Sequence, residues 1–183
     1  MTFPLPYIRP PQGVASVTYA STSVSAADLS SYTFSGVSLS TAADNRFIIV
    51  MISFRNGVTI TSVTIGGVTA TELATKVGGS PFMAVYGARV PTGTTGDVVV
   101  NMNASPANCG IGVWACYNLQ TLTPQATASS TADPSALSVN TVAGGIVIAA
   151  VMTNGTTTTV SWTGLTERYD AVVESTLNYH SGA

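Results

Sequence analysis

Residues 37–67, VSLSTAADNRFIIVMISFRNGVTITSVTIGG, decide the fold class, because the chain uses their pattern twice. Residues 137–164, LSVNTVAGGIVIAAVMTNGTTTTVSWTG, pass through the same steps: an alternating strand ending in Ser-x-x-Thr, a short polar turn, an apolar run, Asn-Gly, a Thr-rich strand and a Gly. Alternation is the period of a half-buried strand, and a short run apolar on both parities, such as FIIVMISF at 47–54, belongs to a strand covered on both faces or buried at a subunit contact. Asn-Gly tolerates the positive φ of tight hairpins, so each apolar run is expected to turn back into the Thr-rich strand behind it. About 50 residues follow the first copy before the linker to the second, whereas fewer than 20 follow the second. The sheet therefore reads as unfinished at its C-terminus, to be completed by further sequence or by a neighbouring chain, and the second option points to an assembly.

Outward from the repeat, period-two patterning continues over 14–19 and 32–39, and further strands are expected at 68–74, 82–90, 98–102 and 111–117. Between them stand the turn formers Gly66-Gly67, Gly78-Gly79-Ser80-Pro81 and the loop PTGTTGD at 91–97. About a dozen short strands at this spacing, with at most one helical turn at 26–31, predict an all-β chain: an antiparallel β-sandwich or jelly roll with an internal pseudo-repeat. Residues 14–183 form a single domain in this reading. Residues 1–13 carry Pro4, Pro6, Pro10 and Pro11, which cannot donate ladder hydrogen bonds, so they are expected to lie as an extended arm. Phe3, Leu5, Tyr7 and Ile8, with Arg9, are its candidate docking contacts.

Composition narrows the function classes. Only 8% of residues are charged against 45% hydrophobic, and about a quarter are Ser or Thr, so hydroxyls keep the surface wet. The net charge is −2, and the six basic residues, Arg9, Arg46, Arg55, Lys76, Arg89 and Arg168, are scattered. No positive stripe exists to hold phosphates, so nucleic acid is not an expected partner. Low charge leaves little repulsion between copies, which suits a packed array and a homo-oligomer. The arm has no basic stretch ahead of an apolar core, and the longest apolar run, 142–152, falls short of the roughly 20 residues that a membrane helix needs. No membrane partner is expected.

The residues that carry chemistry are sparse. Cys109 and Cys116 bracket the run CGIGVWAC; on one strand their odd separation puts them on opposite faces and about 23 Å apart, so they read as free buried thiols and not as a disulfide or metal pair. His180 is the only histidine and stands at a position expected to fray, which leaves a Ser-His-Asp triad without support. Glu167, Arg168, Asp170 and Glu174 cluster in sequence; alternation places Arg168, Asp170 and Glu174 on one face, the pattern of a local ion pair more than of the two carboxylates of a glycosidase. Asp44, Asp97 and Asp133 fall in predicted turns, where Asp supports the turn itself. Trp114, Trp162, Tyr86, Tyr117, Tyr169 and Tyr179 are the aromatics available to stack on sugars, with Trp114 and Trp162 also placed to be core residues. Gly66-Gly67, Gly78-Gly79 and Gly144-Gly145 lack the Lys-Ser/Thr and strand–helix context of a phosphate cradle. The reading is therefore of a non-enzyme with no cofactor, no metal and no catalytic residues.

Three stretches, VTIGGVTAT at 63–71, VPTGTTGDVVV at 90–100 and WTGLTERYD at 162–170, resemble a group of uncharacterised all-β proteins of tailed bacteriophages and prophages. The similarity runs over most of the chain beyond the arm. Members of that group continue past a Ser-Gly-Ala like Ser181-Gly182-Ala183 into another apolar strand, in line with the unfinished sheet. The resemblance implies a structural virion protein on the phage particle surface: a capsid decoration or cement protein, or a head or tail fibre component, whose partners are other virion proteins and its own copies. It brings no catalytic residues. An alternative expectation is a tail module that binds a receptor or host glycan through loops at 78–82 and 105–108; an enzyme acting on cell-wall sugar would require Glu167 or Asp170.

Overall fold

The computed structural model describes residues 13–55, 57–76, 80–132, 135–153, 155, 160–174 and 178–183. Among them twelve strands form: β1 (Ser16–Ser25), β2 (Ser31–Ser38), β3 (Phe47–Phe54), β4 (Ile60–Ile65), β5 (Val68–Thr69), β6 (Thr71–Thr75), β7 (Phe82–Arg89), β8 (Thr95–Met102), β9 (Cys109–Tyr117), β10 (Ala150–Met152), β11 (Tyr169–Glu174) and β12 (Asn178–Gly182). No described residue is helical, so none could form a membrane-spanning helix. Every strand pairing is antiparallel. The all-β, sandwich-like character expected from the sequence is the architecture found.

Three sheets build it. The central sheet has the order β1-β9-β3-β7-β6, a second has β2-β8-β4-β5, and a third has β10-β12-β11. Along β3, Ile48, Val50, Ile52 and Phe54 point into the main core, where Val63 and Ile65 of β4 and Val98 and Val100 of β8 meet them. The other parity, with Met51, joins Trp114 of β9 and Tyr19 and Val85 of the flanking strands against Tyr169 and Ala171 of β11, Ala150 of β10 and Ile148 just before it. The central sheet is thus covered on both faces. This is the physical reason that FIIVMISF and CGIGVWAC are apolar on both parities: either parity exposed would cost about 25 cal/mol per Å² of apolar surface left wet.

Several local expectations change. The expected hairpin of β3 with β4 does not form: β3 pairs with β7 and β9, while β4 pairs with β5 and β8 in the facing sheet. Chemistry explains the crossing, since Thr61 and Ser62 of β4 are exposed and would carry hydroxyls into a sheet buried on both faces. Residues 68–74 split at Ala70, β5 staying with β4 and β6 moving to β7. Asp97 lies on β8 and not in a turn, its Oδ1 accepting from Gly36 N at 2.8 Å. The second copy of the repeat is built differently from the first: within 146–152 only Ala150–Met152 is strand, paired with β12, and residues 160–162 form none. Its turn residue Asn154, like Asp133, lies outside the described residues.

Candidate functional site

The arm contacts Phe3, Leu5, Tyr7, Ile8 and Arg9 lie outside the described residues, as do Gly78 and Gly79 of one expected receptor loop. Of the rest of that loop, Ser80 is exposed, while Phe82 is half-buried and stacked on Phe54 at 5.4 Å and 9°. At the other loop, Pro106 presents its carbonyl to Tyr32 Oη at 3.0 Å and Asn108 is fully buried. The candidate sugar-stacking aromatics are all buried or half-buried: Tyr86 donates to Glu72 at 3.0 Å, Tyr117 to the Thr41 carbonyl at 2.7 Å, and Trp162 to Ser181 Oγ at 2.8 Å. Trp114 is a core residue, 2% exposed.

The acidic cluster also comes apart. Glu167, Arg168 and Asp170 are exposed, and Asp170 accepts from the Val160 amide at 3.2 Å. Glu174 does not pair with Arg168; its Oε2 takes Arg55 Nη1 at 3.2 Å, Asn108 Nδ2 at 3.0 Å and Asn178 Nδ2 at 3.2 Å. The ion pair thus ties β11 to the end of β3, 119 residues away in sequence, rather than stiffening one strand. Cys109 and Cys116 are free and buried, and burial raises both thiols, Cys116 to about 12.

Two buried polar constellations that the sequence did not reveal carry most of the structure's polar geometry. The first is His180, at no frayed end but in the middle strand of the third sheet and fully buried. Its Nε2 is 2.5 Å from Tyr169 Oη, whose ring lies 4.9 Å from the imidazole and also contacts Tyr19 and Trp114. Burial pushes the imidazole down to about 3 and raises the Tyr169 phenol. Room for both rings comes from glycines on β9: a Cβ on Gly110 would stand 2.8 Å from His180 Nδ1 and 3.0 Å from Ser53 Oγ, and one on Gly112 would stand 2.4 Å from Tyr169 Oη. Two glycines at spacing two inside a strand mark a close approach on one face, and this signal was present in CGIGVWAC. Around this seam Arg55 Nε, Asn108 Oδ1, Thr153 Oγ1, Asn178 Oδ1 and His180 Nδ1 are buried with no protein partner among the described residues.

The second constellation is Arg46, fully buried, whose guanidinium spends all five N–H groups on main-chain carbonyls. Nε donates to Val90 at 2.7 Å, Nη1 to Leu39 at 3.0 Å and Ser40 at 2.9 Å, and Nη2 to Thr92 at 2.8 Å and Gly93 at 2.7 Å. The fixed fork of donors makes this possible; no other side chain could satisfy five carbonyls at once. Arg46 thereby clamps the 90–93 turn to the end of β2. An open cleft of about 360 Å³ lies beside it, bounded by Leu39, Gly66, Val68, Val90, Pro91 and Asp97. Gly66 (φ +56°) and Gly67 (φ +79°) form its β4–β5 turn, where an L side chain would be strained. The cleft is therefore walled by residues of the 63–71 and 90–100 stretches.

These features define the class: an all-β protein of stacked antiparallel sheets, held by a dry main core and a polar second seam. Comparison with known protein families, with characterised proteins and with solved structures finds no match to this chain.

Proposed function

We propose that the chain is a structural protein of a tailed-phage particle, a capsid decoration or cement protein or a fibre component, acting by adhesion to other virion proteins and to its own copies. One observation carries the adhesive part. The stretch between β9 and β10 presents Leu122, Leu137, Val139, Val142 and Val147 to solvent, with Leu137 55% and Val142 56% exposed, and Asp133 is the one charged residue between Asn118 and Thr166. Exposed apolar side chains in a neutral, hydroxyl-rich setting favour contact with a similar surface, and many weak contacts repeated by symmetry stabilise a particle. The resemblance of residues 63–71, 90–100 and 162–170 supports the phage setting. In this reading the fold is of jelly-roll type with residues 137–164 a divergent second use of the 37–67 unit, and the arm docks on a neighbour through Phe3, Leu5, Tyr7, Ile8 and Arg9.

The test is rebinding of purified chain to particles depleted of it. The full chain is expected to bind to a fixed copy number, a Leu137→Ser/Val142→Ser variant and a chain without residues 1–13 to bind more weakly. Equal binding by all three would remove both proposed contact surfaces.

A further inference from the structure

The third sheet meets the central one through two unlike zones. One is apolar and small, built on Met51, Trp114 and Tyr169. The other is the polar seam of Ser53, Arg55, Asn108, Glu174, Asn178 and His180, where several buried polar atoms have no protein partner among the described residues. A partly satisfied polar seam holds two layers less firmly than apolar packing of the same extent. The main core, by contrast, takes buried side chains from β2, β3, β4, β7, β8 and β9. The stretch 118–149 that leads into the third sheet has no strand among its described residues, so the sheet can leave without pulling a ladder of the other two apart.

We propose that β10, β11 and β12 form a flap released by acid: an uncharged His180 lets the flap sit on the central sheet, and a proton on that imidazole lifts it off. The geometry is the argument. His180 is sealed in the Gly110 notch, and its two nitrogens meet Tyr169 Oη and the surroundings of Ser53 Oγ, never a carboxylate. The titratable and charged groups on the elements packed here are Tyr169, Asp170 and Glu174 on β11, Arg55 at the end of β3, Tyr179 beside His180 on β12 and, behind Tyr169, Tyr19 on β1; of these Asp170 is exposed and accepts from the Val160 amide. β10 brings none; on β9 Cys109, next to Gly110, belongs to the main core on the opposite face, and Cys116 stands six residues along from Gly110, about 20 Å away. Glu174 is already committed to Arg55 and two asparagines, so an imidazolium would be a buried charge without a counter-ion.

The sign follows from the depressed titration. The undocked imidazole binds its proton near 6.5 and the docked one near 3, so docking is at full strength above about pH 6.5 and weakens as pH falls toward 3. Each pH unit within that window shifts the docked-to-undocked ratio roughly tenfold toward release. Below about pH 3 the effect is complete.

Because His180 is the only histidine, the Cε1–H signal of the unmodified chain reports it alone. The expected result is an imidazole still neutral at pH 6 that protonates at lower pH, together with loss of amide protection in β10, β11 and β12, corrected for intrinsic exchange, while β3, β7 and β9 stay protected. A His180→Leu variant is expected to keep its flap protected at the same acid pH; if that variant does not dock, the titration of the unmodified chain still decides. Ordinary titration near 6.5 with the flap protected throughout overturns the proposal, as does simultaneous loss of protection in all three sheets.

Discussion

Replacing Arg46 tests whether the end of the sandwich rests on one side chain. Arg46→Met keeps much of the apolar stem and removes the five donors. The carbonyls of Leu39 and Val90 then lie buried without a partner, at about 1–3 kcal/mol each, while those of Ser40, Thr92 and Gly93 are partly buried and can turn to water. Relief from burying a cation offsets part of the loss, so the net cost is about 3 kcal/mol, within the range seen when one partner of a buried charged network is removed. For a chain of this size that lowers Tm by roughly 6–12 °C. Arg46→Lys is expected to cost nearly as much, because three N–H groups on one nitrogen cannot reach carbonyls spread over both turns. The assay is scanning calorimetry of both variants beside the parent, with amide exchange at Leu39, whose N–H bonds the Thr94 carbonyl at 2.8 Å across the clamped turns. A Tm drop below about 2 °C for Arg46→Met, with Leu39 still protected, would refute the clamp and place the restraint in the Gly66–Asp97 and Leu39–Thr94 backbone bonds alone.

Other outcomes follow from the seams. Gly112→Ala puts a methyl 2.4 Å from Tyr169 Oη and is expected to cost about 1–3 kcal/mol and to expose Trp114, read as a red shift of its fluorescence, whereas Gly57→Ala, with nothing within 4 Å, changes neither. Both thiols are expected to resist a thiol reagent at pH 8 in the folded chain and to react as two equivalents in denaturant, since burial raises Cys109 and Cys116; rapid labelling of the folded chain would contradict their placement.

How much was legible in the sequence depends on whether a residue's role lay in its own pattern. The double apolar parity of 47–54 announced a strand with both faces covered, and the odd spacing of Cys109 and Cys116 announced two separated thiols, because period two is a local property of the backbone. The partner of a strand is not local: Asn56-Gly57 suggested a hairpin, yet β3 already has β7 and β9 on its two edges, and the hydroxyls of β4 suit the facing sheet. Arg46 read only as one of six scattered basic residues, since nothing in its neighbours forecasts five carbonyls converging from turns some 50 residues apart. His180 looked like an end residue because position near a terminus says nothing about being the middle strand of a sheet. The notches that receive His180 and Tyr169 were readable in principle, as Gly110 and Gly112 share one face of an otherwise bulky strand.

The central claim, that this is a structural part of a phage particle, is tested most directly by quantitative mass spectrometry of purified particles from the source that encodes it. The account predicts the chain at a fixed stoichiometry to the major capsid or tail subunit, retained through density-gradient purification. Its absence from intact particles, with the protein recovered free in the lysate as a monomer, would contradict the account.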